Sequence, residues 1–231
     1  MASPEPSSKS APCRLIVVGG HTRSIGKTQL VCDLIAALPS ANWLAGKITQ
    51  YGHGVCATNG HDCDCAPTEH IVALDWESNG ASGTDSGRFL QAGAARSFWL
   101  RTKQGYLAEG MSPLREALAS VANSVKGGGL NVIVESNSLL QFVKPSLYVT
   151  VFDSARDDFK DSARQMLDRA DVFVFRRGLE DTSVTEPPWM QLPAQLLRQK
   201  PSLLQREGEP LPEPLFQLVK RILESPASVF V

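Results

Sequence analysis

The sequence predicts an α/β fold in which crossover helices join the strands of a mostly parallel β-sheet. Short apolar or β-branched runs alternate with segments whose apolar residues recur at helical spacing. A glycine-rich turn joins the first of these runs to the first helical segment. The chain has 231 residues, of which 42% are hydrophobic, and this is enough for one large domain with a core of ordinary size.

The strands and helices follow from these patterns in chain order. The predicted strands are 14–18, 43–48, 97–101, 131–134, 146–152, 172–175 and 202–205. The predicted helices are 26–38, 84–95, 112–125, 157–169 and 215–223. Because helical segments separate most successive strands, the strands are expected to run parallel.

Three stretches lack such patterns. Residues 1–12, MASPEPSSKSAP, are predicted to be a disordered leader. Residues 49–83, rich in Gly, Cys, His, Asn and Asp, are predicted to be a long loop or insertion, and 178–193 a proline-containing connection. Neither internal stretch has the character of a domain boundary, so 13–231 is predicted to be one domain.

The turn after the first strand, GGHTRSIGKTQLV, is close to the phosphate-loop pattern G-x-x-x-x-G-K-S/T. His21 stands where the first glycine belongs, and Gly20 precedes it. Backbone N–H groups of such a loop hold phosphates, its lysine reaches the β and γ phosphates, and its hydroxyl completes a magnesium shell. The strand-to-helix setting therefore predicts a P-loop NTPase three-layer sandwich, the alternative being an ordinary turn with an exposed lysine. The predicted nucleotide-binding residues of the loop are Gly20, His21, Ser24, Ile25, Gly26, Lys27, Thr28 and Gln29.

A magnesium site of this kind also needs an acidic side chain at the end of a neighbouring strand. Two candidates stand at carboxyl ends of predicted strands, where open α/β sheets place their ligands: Glu135 after LNVIV and Asp153 after LYVTVF. With Thr28, the chosen acid would hold the magnesium ion.

Charge and hydropathy restrict the class of partner. The formal net charge of −1 and the isoelectric point near 6.4 give no basic field for nucleic acid. No apolar stretch reaches the roughly 18 residues of a membrane span. A cytoplasmic protein without a nucleic-acid or membrane partner is expected, and its five cysteines, an odd number, argue against a disulfide framework.

Four segments in order resemble the molybdopterin-guanine dinucleotide biosynthesis protein B group. These are GGHTRSIGKTQLV, LAGKITQYGHG, TDSGRFLQAGA and NVIVESNS, which span about the first 140 residues. That group belongs to the same class of P-loop proteins as dethiobiotin synthetase and the nickel-insertion GTPases of urease and hydrogenase. The resemblance selects Glu135 over Asp153 as the magnesium acid and suggests a role in molybdenum-cofactor or related cofactor biosynthesis.

The resemblance also implies roles for residues of the second and third segments. Lys47, Asp85, Ser86 and Arg88 would lie near the phosphates or a second substrate, and Arg88 could fork onto an anion. The alternative is that Thr84 and Asp85 cap the helix while Arg88 is a solvated surface residue. The predicted catalytic residues are Lys27, Glu135 and Arg88. After the strand VFVF the sequence RRGLED lacks the guanine-reading N-K-x-D pattern, so both ATP and GTP remain candidates.

The cysteine-rich cluster HGVCATNGHDCDC is the third functional feature. Cys56, Cys63 and Cys65 could offer three thiolates, and His70 or His61 a fourth ligand, to zinc or an iron–sulfur cluster. The spacing lacks the C-x-x-C halves of a zinc ribbon, and incidental free thiols are the alternative.

Two functions therefore emerge. The first is an enzyme, a magnesium-dependent NTPase or a small-molecule kinase or ligase acting on ATP or GTP and a second small substrate. The second is a nucleotide-gated metallochaperone that passes a metal or cofactor to a client enzyme, as the nickel GTPases do. Those GTPases act as dimers, which makes a homodimer the corresponding expectation.

Overall fold

The computed structural model describes residues 12–52, 71–124, 129–177 and 194–229. In these residues one nine-stranded sheet is interleaved with helices, which is an α/β fold. The strands are β1 (Pro12–Gly20), β2 (Leu44–Tyr51), β3 (Val72–Glu77), β4 (Arg96–Lys103), β5 (Leu130–Glu135), β6 (Leu147–Phe152), β7 (Val172–Phe175), β8 (Ser202–Leu204) and β9 (Ser228–Val229). The helices are α1 (Lys27–Ala37), α2 (Asp85–Gln91), α3 (Leu107–Ser124), α4 (Asp161–Arg164), α5 (Ala194–Gln199) and α6 (Glu213–Glu224).

The sheet is parallel except at two places. Its order is β3-β4-β2-β5-β1-β6-β7-β8, with β3 antiparallel to β4 at one edge. The short β9 pairs antiparallel with the beginning of β1. β1 therefore lies between β5 and β6, and the carboxyl ends of all three strands meet at the same edge of the sheet.

Helices cover both faces because side chains alternate along each strand. Leu15 and Val17 of β1 belong to one apolar cluster, which α3 completes. Ile16 and Val18 belong to a second cluster, which α1 and α6 complete. All four side chains are buried, so β1 is held on both sides.

The predicted parallel α/β sheet is confirmed, and the seven predicted strands correspond to β1, β2, β4, β5, β6, β7 and β8. The largest difference lies in 49–83, where a loop or insertion was predicted. Its last part, Val72–Glu77, forms β3, and β2 continues to Tyr51. β3 is half-exposed and, among the strands of the described ranges, pairs only with β4, so its apolar periodicity is weak.

The predicted helix 157–169 is also different. Only Asp161–Arg164 is α-helical, followed by a 3₁₀ turn at Leu167–Arg169. α3 begins at Leu107, five residues before its predicted start, and accommodates Pro113 in its second turn. None of the helices in the described residues is long and apolar enough to cross a membrane.

Candidate functional site

The connection between β1 and α1, residues 21–26, lies at the carboxyl edge of the sheet and is called the β1–α1 loop below. Its backbone has positive φ angles at two places, 52° at Ser24 and 81° at Gly26. A methyl group at Gly26 would lie 2.8 Å from Nε of Arg176, and Nη2 of the same arginine donates to the Gly26 carbonyl at 2.6 Å. Only glycine fits there, both for its φ and for its contact with the end of β7.

Lys27, the first residue of α1, folds back onto this loop. Its Nζ donates to the backbone carbonyl of Thr22 at 2.5 Å. Burial lowers the pKa of Lys27 to about 8, although the charge of Glu135 opposes the shift. The ammonium group of Lys27 thus lies against the β1–α1 loop, held by a backbone carbonyl of that loop.

Thr28, Glu135 and Lys47 come together from three elements. Strand register sets Glu135 of β5 beside Lys47 of β2. The Thr28 hydroxyl donates to Oε2 of Glu135 at 2.7 Å, and Nζ of Lys47 donates to its Oε1. Lys47 also pairs with Oδ2 of Asp85, the first residue of α2, at 2.9 Å.

The charges of this group stabilise one another. Burial would lower the pKa of Lys47, but the carboxylates of Glu135 and Asp85 outweigh it and hold the pKa above its ordinary value. Burial likewise favours neutral Asp85, yet the ammonium of Lys47 holds the pKa of that carboxyl below its usual range. The group is therefore a fixed set of oxygen atoms with one cation among them.

Arg88 lies at the rim of the same cleft. Its side chain is 41% exposed and stands 3.9 Å from Oδ1 of Asp85. Its Nη2 donates to Oε1 of Gln29 at 2.8 Å. The side chain is close enough to contact a bound anion, and it also helps to join α1 to α2. Ser86 is buried, with its hydroxyl near Thr84 and Glu77, and does not face the cleft.

His21 and Ile25 point away from the cleft. His21 is fully buried, stacked on Phe152 with ring centroids 5.4 Å apart, and neither ring nitrogen has a hydrogen-bond partner of normal geometry in the described residues. Burial lowers the pKa of His21, which favours the neutral ring. Ile25 is a core residue, and neither it nor Gly20 or His21 lines the cleft.

The competing acid, Asp153, lies elsewhere. Its Oδ1 accepts from the backbone N–H of Ala155 at 2.9 Å and pairs with Arg177 at 3.0 Å. It does not line the cleft, whereas Glu135 does. Geometry therefore favours Glu135 as the acidic residue of the site.

Asn137 fixes the end of β1 and was not anticipated from the sequence. Its side-chain amide accepts from the Gly20 N–H at 2.9 Å and donates to the Gly20 carbonyl at 2.8 Å. A methyl group at Gly19 would lie 2.1 Å from the same amide oxygen. The Asn137 side chain thus takes the place of a backbone hydrogen-bond partner at the end of β1. Its position just after β5 was the only sign of this role in the sequence.

Lys160 is a second residue that sequence analysis did not identify. It follows β6 and lines the cleft, and its backbone N–H donates to the His21 carbonyl at 2.9 Å. Burial and then the charges of Arg23 and Lys27 lower its pKa to about 8. No local motif marks a lysine of this kind.

The cleft itself is an open depression of about 930 Å³. Its lining includes the β1–α1 loop, Lys160, the ends of β2 and β5 and the turn before α3, with Gln50, Gln104 and Gln141. This volume is sufficient for a nucleotide or another small ligand.

The sequence also predicted a set of cysteine and histidine metal ligands. Within the described ranges there is no group of three or more His, Cys, Asp or Glu side chains that could hold a metal ion. The predicted ligands Cys56, Cys63, Cys65 and His70, together with His61, lie outside those ranges. Cys13 and Cys32 are buried thiols whose pKa burial raises to about 11, so both stay protonated at neutral pH.

Comparison of the chain with known protein families, curated proteins and solved structures finds no match.

Proposed function

We propose that the protein is a magnesium-dependent nucleoside triphosphate-binding protein of the P-loop type. The observation that carries this proposal is the 2.7 Å contact between the Thr28 hydroxyl and Glu135, formed directly below the loop that holds Lys27. A hydroxyl and a carboxylate oxygen at this spacing are the ligands that magnesium takes beside a nucleotide. An ordinary turn with an exposed lysine would bring none of these groups together.

Several of the described residues would have separate roles in binding the nucleotide. Thr28 and Glu135 would hold the magnesium ion, which when bound neutralises charge on the β and γ phosphates. Lys27 would exchange the Thr22 carbonyl for phosphate oxygens, and the N–H groups at the start of α1 would hold the phosphates behind it. Lys47 keeps Glu135 in position through its ion pair.

The proposed class of reaction rests on the rest of the cleft. Its lining also includes Gln104, Gln141 and Phe142, and we propose that a second small molecule binds there. We therefore propose an NTPase or a small-molecule kinase or ligase that uses ATP or GTP, with Arg88 at the rim. The resemblance to the molybdopterin-guanine dinucleotide biosynthesis protein B group makes cofactor biosynthesis the proposed setting.

Calorimetry with Mg·ATP and Mg·GTP tests the proposal. Lys27→Ala should abolish or weaken triphosphate binding by about 100-fold or more, because a buried charge-to-phosphate contact is lost. The matched control is Lys220→Ala, an exposed lysine of α6 outside the cleft, which should bind as the unchanged protein does. Equal affinity of the Lys27→Ala variant and the control would contradict the P-loop assignment.

A nucleotide-gated metallochaperone is the second candidate, and the positions of Tyr51 and Ile71 favour it. These residues flank the segment with the predicted metal ligands. The Tyr51 carbonyl accepts from the Gln104 N–H at 2.9 Å, and the Ile71 carbonyl accepts from the Lys103 N–H at 2.9 Å. Gln104 lines the cleft, so the Tyr51 carbonyl at the end of β2 lies beside a residue of the proposed nucleotide site.

Metal analysis of anaerobically purified protein separates the two candidates. A chaperone should carry about one zinc ion or one iron–sulfur cluster per chain and release it with a change of nucleotide. Substitution of Cys63 and Cys65 by serine should remove the metal and leave nucleotide binding intact. Metal-free protein from a reducing preparation would leave the enzyme as the single proposal.

A further inference from the structure

The segment between β6 and α4, residues 153–160, crosses the first half of the β1–α1 loop and is called the strap. Three contacts hold it there. The Thr22 hydroxyl donates to Asp158, the Lys160 N–H donates to the His21 carbonyl at 2.9 Å, and the Phe159 ring lies 5.6 Å from the ring of His21. All three contacts are made to residues 21 and 22 of the loop, so the strap is tied to one end of the loop.

That end of the loop corresponds to the terminal phosphate. In a P-loop the helix N-terminus holds the α and β phosphates, while the lysine reaches the β and γ phosphates. Lys27 Nζ contacts the Thr22 carbonyl, so Thr22 marks the far end of the phosphate path. The strap is tied to this end of the loop through Asp158 and through the backbone N–H of Lys160, and Lys160 itself lines the cleft.

The charge distribution agrees with an anion beside Lys160. Among the described residues its ammonium group forms no ion pair and no side-chain hydrogen bond, and Asp158, the acid next to it in the strap, accepts from Thr22 instead. The cleft is lined by more cations than acids: Arg23, Lys27, Lys47, Arg88 and Lys160 against Asp85 and Glu135. Both acids pair with Lys47. Lys27 at the β1–α1 loop and Lys160 in the strap therefore leave the cleft with positive charge.

We propose that Lys160 binds the terminal phosphate of the nucleotide and stabilises the charge that develops there during phosphoryl transfer. This inference rests on the proposed function, and it adds a residue that the phosphate-loop pattern does not contain. A cation at the γ phosphate acts on the equatorial oxygens, which carry negative charge in the transition state. Lys160 is then a determinant of selectivity for a triphosphate over a diphosphate.

The test compares two ligands, Mg·ATPγS and Mg·ADP, by calorimetry, together with the guanosine pair. Lys160→Met should weaken ATPγS by about 10- to 100-fold and leave ADP within about twofold, since a single charged contact to the third phosphate is lost. Lys160→Arg should restore most of the triphosphate affinity. Lys220→Met, an exposed lysine in α6, is the matched control.

A structural role of the strap gives a different result. Because the His21 contact uses the backbone N–H of Lys160, Lys160→Met keeps it, and thermal unfolding checks that the fold is unchanged. Equal weakening of ATPγS and ADP, or no weakening of either, would overturn the assignment of Lys160 to the terminal phosphate. If the unchanged protein binds none of these nucleotides, the proposed function itself fails, and this outcome is distinct from the first two.

Discussion

Lys47 and Lys160 approach the same cleft from opposite sides of β1, and the protein treats them differently. On the β5 side, Lys47 is paired with Glu135 and Asp85, and these partners keep its pKa above the ordinary value against the effect of burial. On the β6 side, burial and neighbouring cations lower the pKa of Lys160 to about 8. Burial also lowers the pKa of Lys27 to about 8.

In the part of the chain that the structure describes, the cleft therefore contains one lysine that is paired with carboxylates and one that is not. A buried cation is costly unless an anion accompanies it. The β5 side meets this requirement with its own carboxylates and is complete without a ligand. On the β6 side the requirement is not met among the described residues, so an anionic ligand has the most to contribute there. Substitutions on the two sides should therefore affect different measurements.

The largest expected effect is on stability, at Lys47. Lys47→Met should lower the free energy of unfolding by about 3 kcal/mol, because removing one partner of a buried pair leaves Glu135 without its counterion. The side chains are 14% and 3% exposed, so water screens the pair little. Urea unfolding at pH 7 measures the loss.

A double substitution checks the cause of that loss. Lys47→Met combined with Glu135→Gln removes both charges and should be more stable than Lys47→Met alone. A cost below about 1 kcal/mol for Lys47→Met would place the pair with ordinary surface ion pairs. The contrast between the two sides of β1 would then disappear.

The second expected effect is uptake of protons when nucleotide binds. Both Lys27 and Lys160 have a pKa of about 8, so at pH 8.5 about three quarters of each is neutral before binding. An anion stabilises the charged form and raises both pKa values, so triphosphate binding should take up about 1.5 protons. The affinity should accordingly fall as the pH rises above 8.

Calorimetry in two buffers with different ionisation enthalpies measures the number of protons taken up on triphosphate binding at pH 8.5. The phosphates contribute little, because their second pKa of about 6 leaves them fully ionised at this pH. Lys160→Met should take up about half as many protons as the unchanged protein, since one of two titrating groups is removed. Binding without proton uptake would mean that these lysines are already charged, which contradicts the comparison.

The smallest expected effect is at Arg88. Its guanidinium is 41% exposed, its contact with Asp85 is 3.9 Å long, and water screens both groups. Arg88→Gln should therefore change the free energy of unfolding by less than about 0.5 kcal/mol and leave nucleotide affinity within about twofold. A loss of triphosphate affinity above about tenfold would show that Arg88 contacts the nucleotide, and the positive side of the site would then include α2.

The sequence was sufficient to predict residues whose role is recognised from their immediate neighbours in the chain. The turn from β1 into α1 and the acid that ends β5 were predicted because Lys27 and Thr28 begin a helix of clear pattern and Glu135 ends a strand of clear pattern. The choice of Glu135 over Asp153 came from a resemblance, and the position of Glu135 beside Thr28 supports it independently. The alternation of strands and helices predicted the parallel sheet for the same local reason.

Residues brought in from a distance could not be found in this way. Asn137 is 117 residues from the glycine it holds, and Arg176 is 150 residues from Gly26. Lys160 lies in a segment whose helical spacing suggested a continuous helix, but the contacts of the strap with residues 21 and 22 take its first part out of helical conformation. Tertiary contacts decide such positions, and local patterns do not record them.

Because Gly26 and Arg176 are in contact, a substitution at one of these two distant positions restricts which residues are tolerated at the other. A side chain at position 26 would strike the Arg176 guanidinium, which donates a hydrogen bond to the carbonyl of residue 26. In a library randomised at both positions, residues larger than glycine should survive at 26 only beside a shorter side chain at 176. They would still bear roughly 1–2 kcal/mol of left-handed backbone strain. Diverged descendants of this chain should therefore exchange these two residues together or keep both.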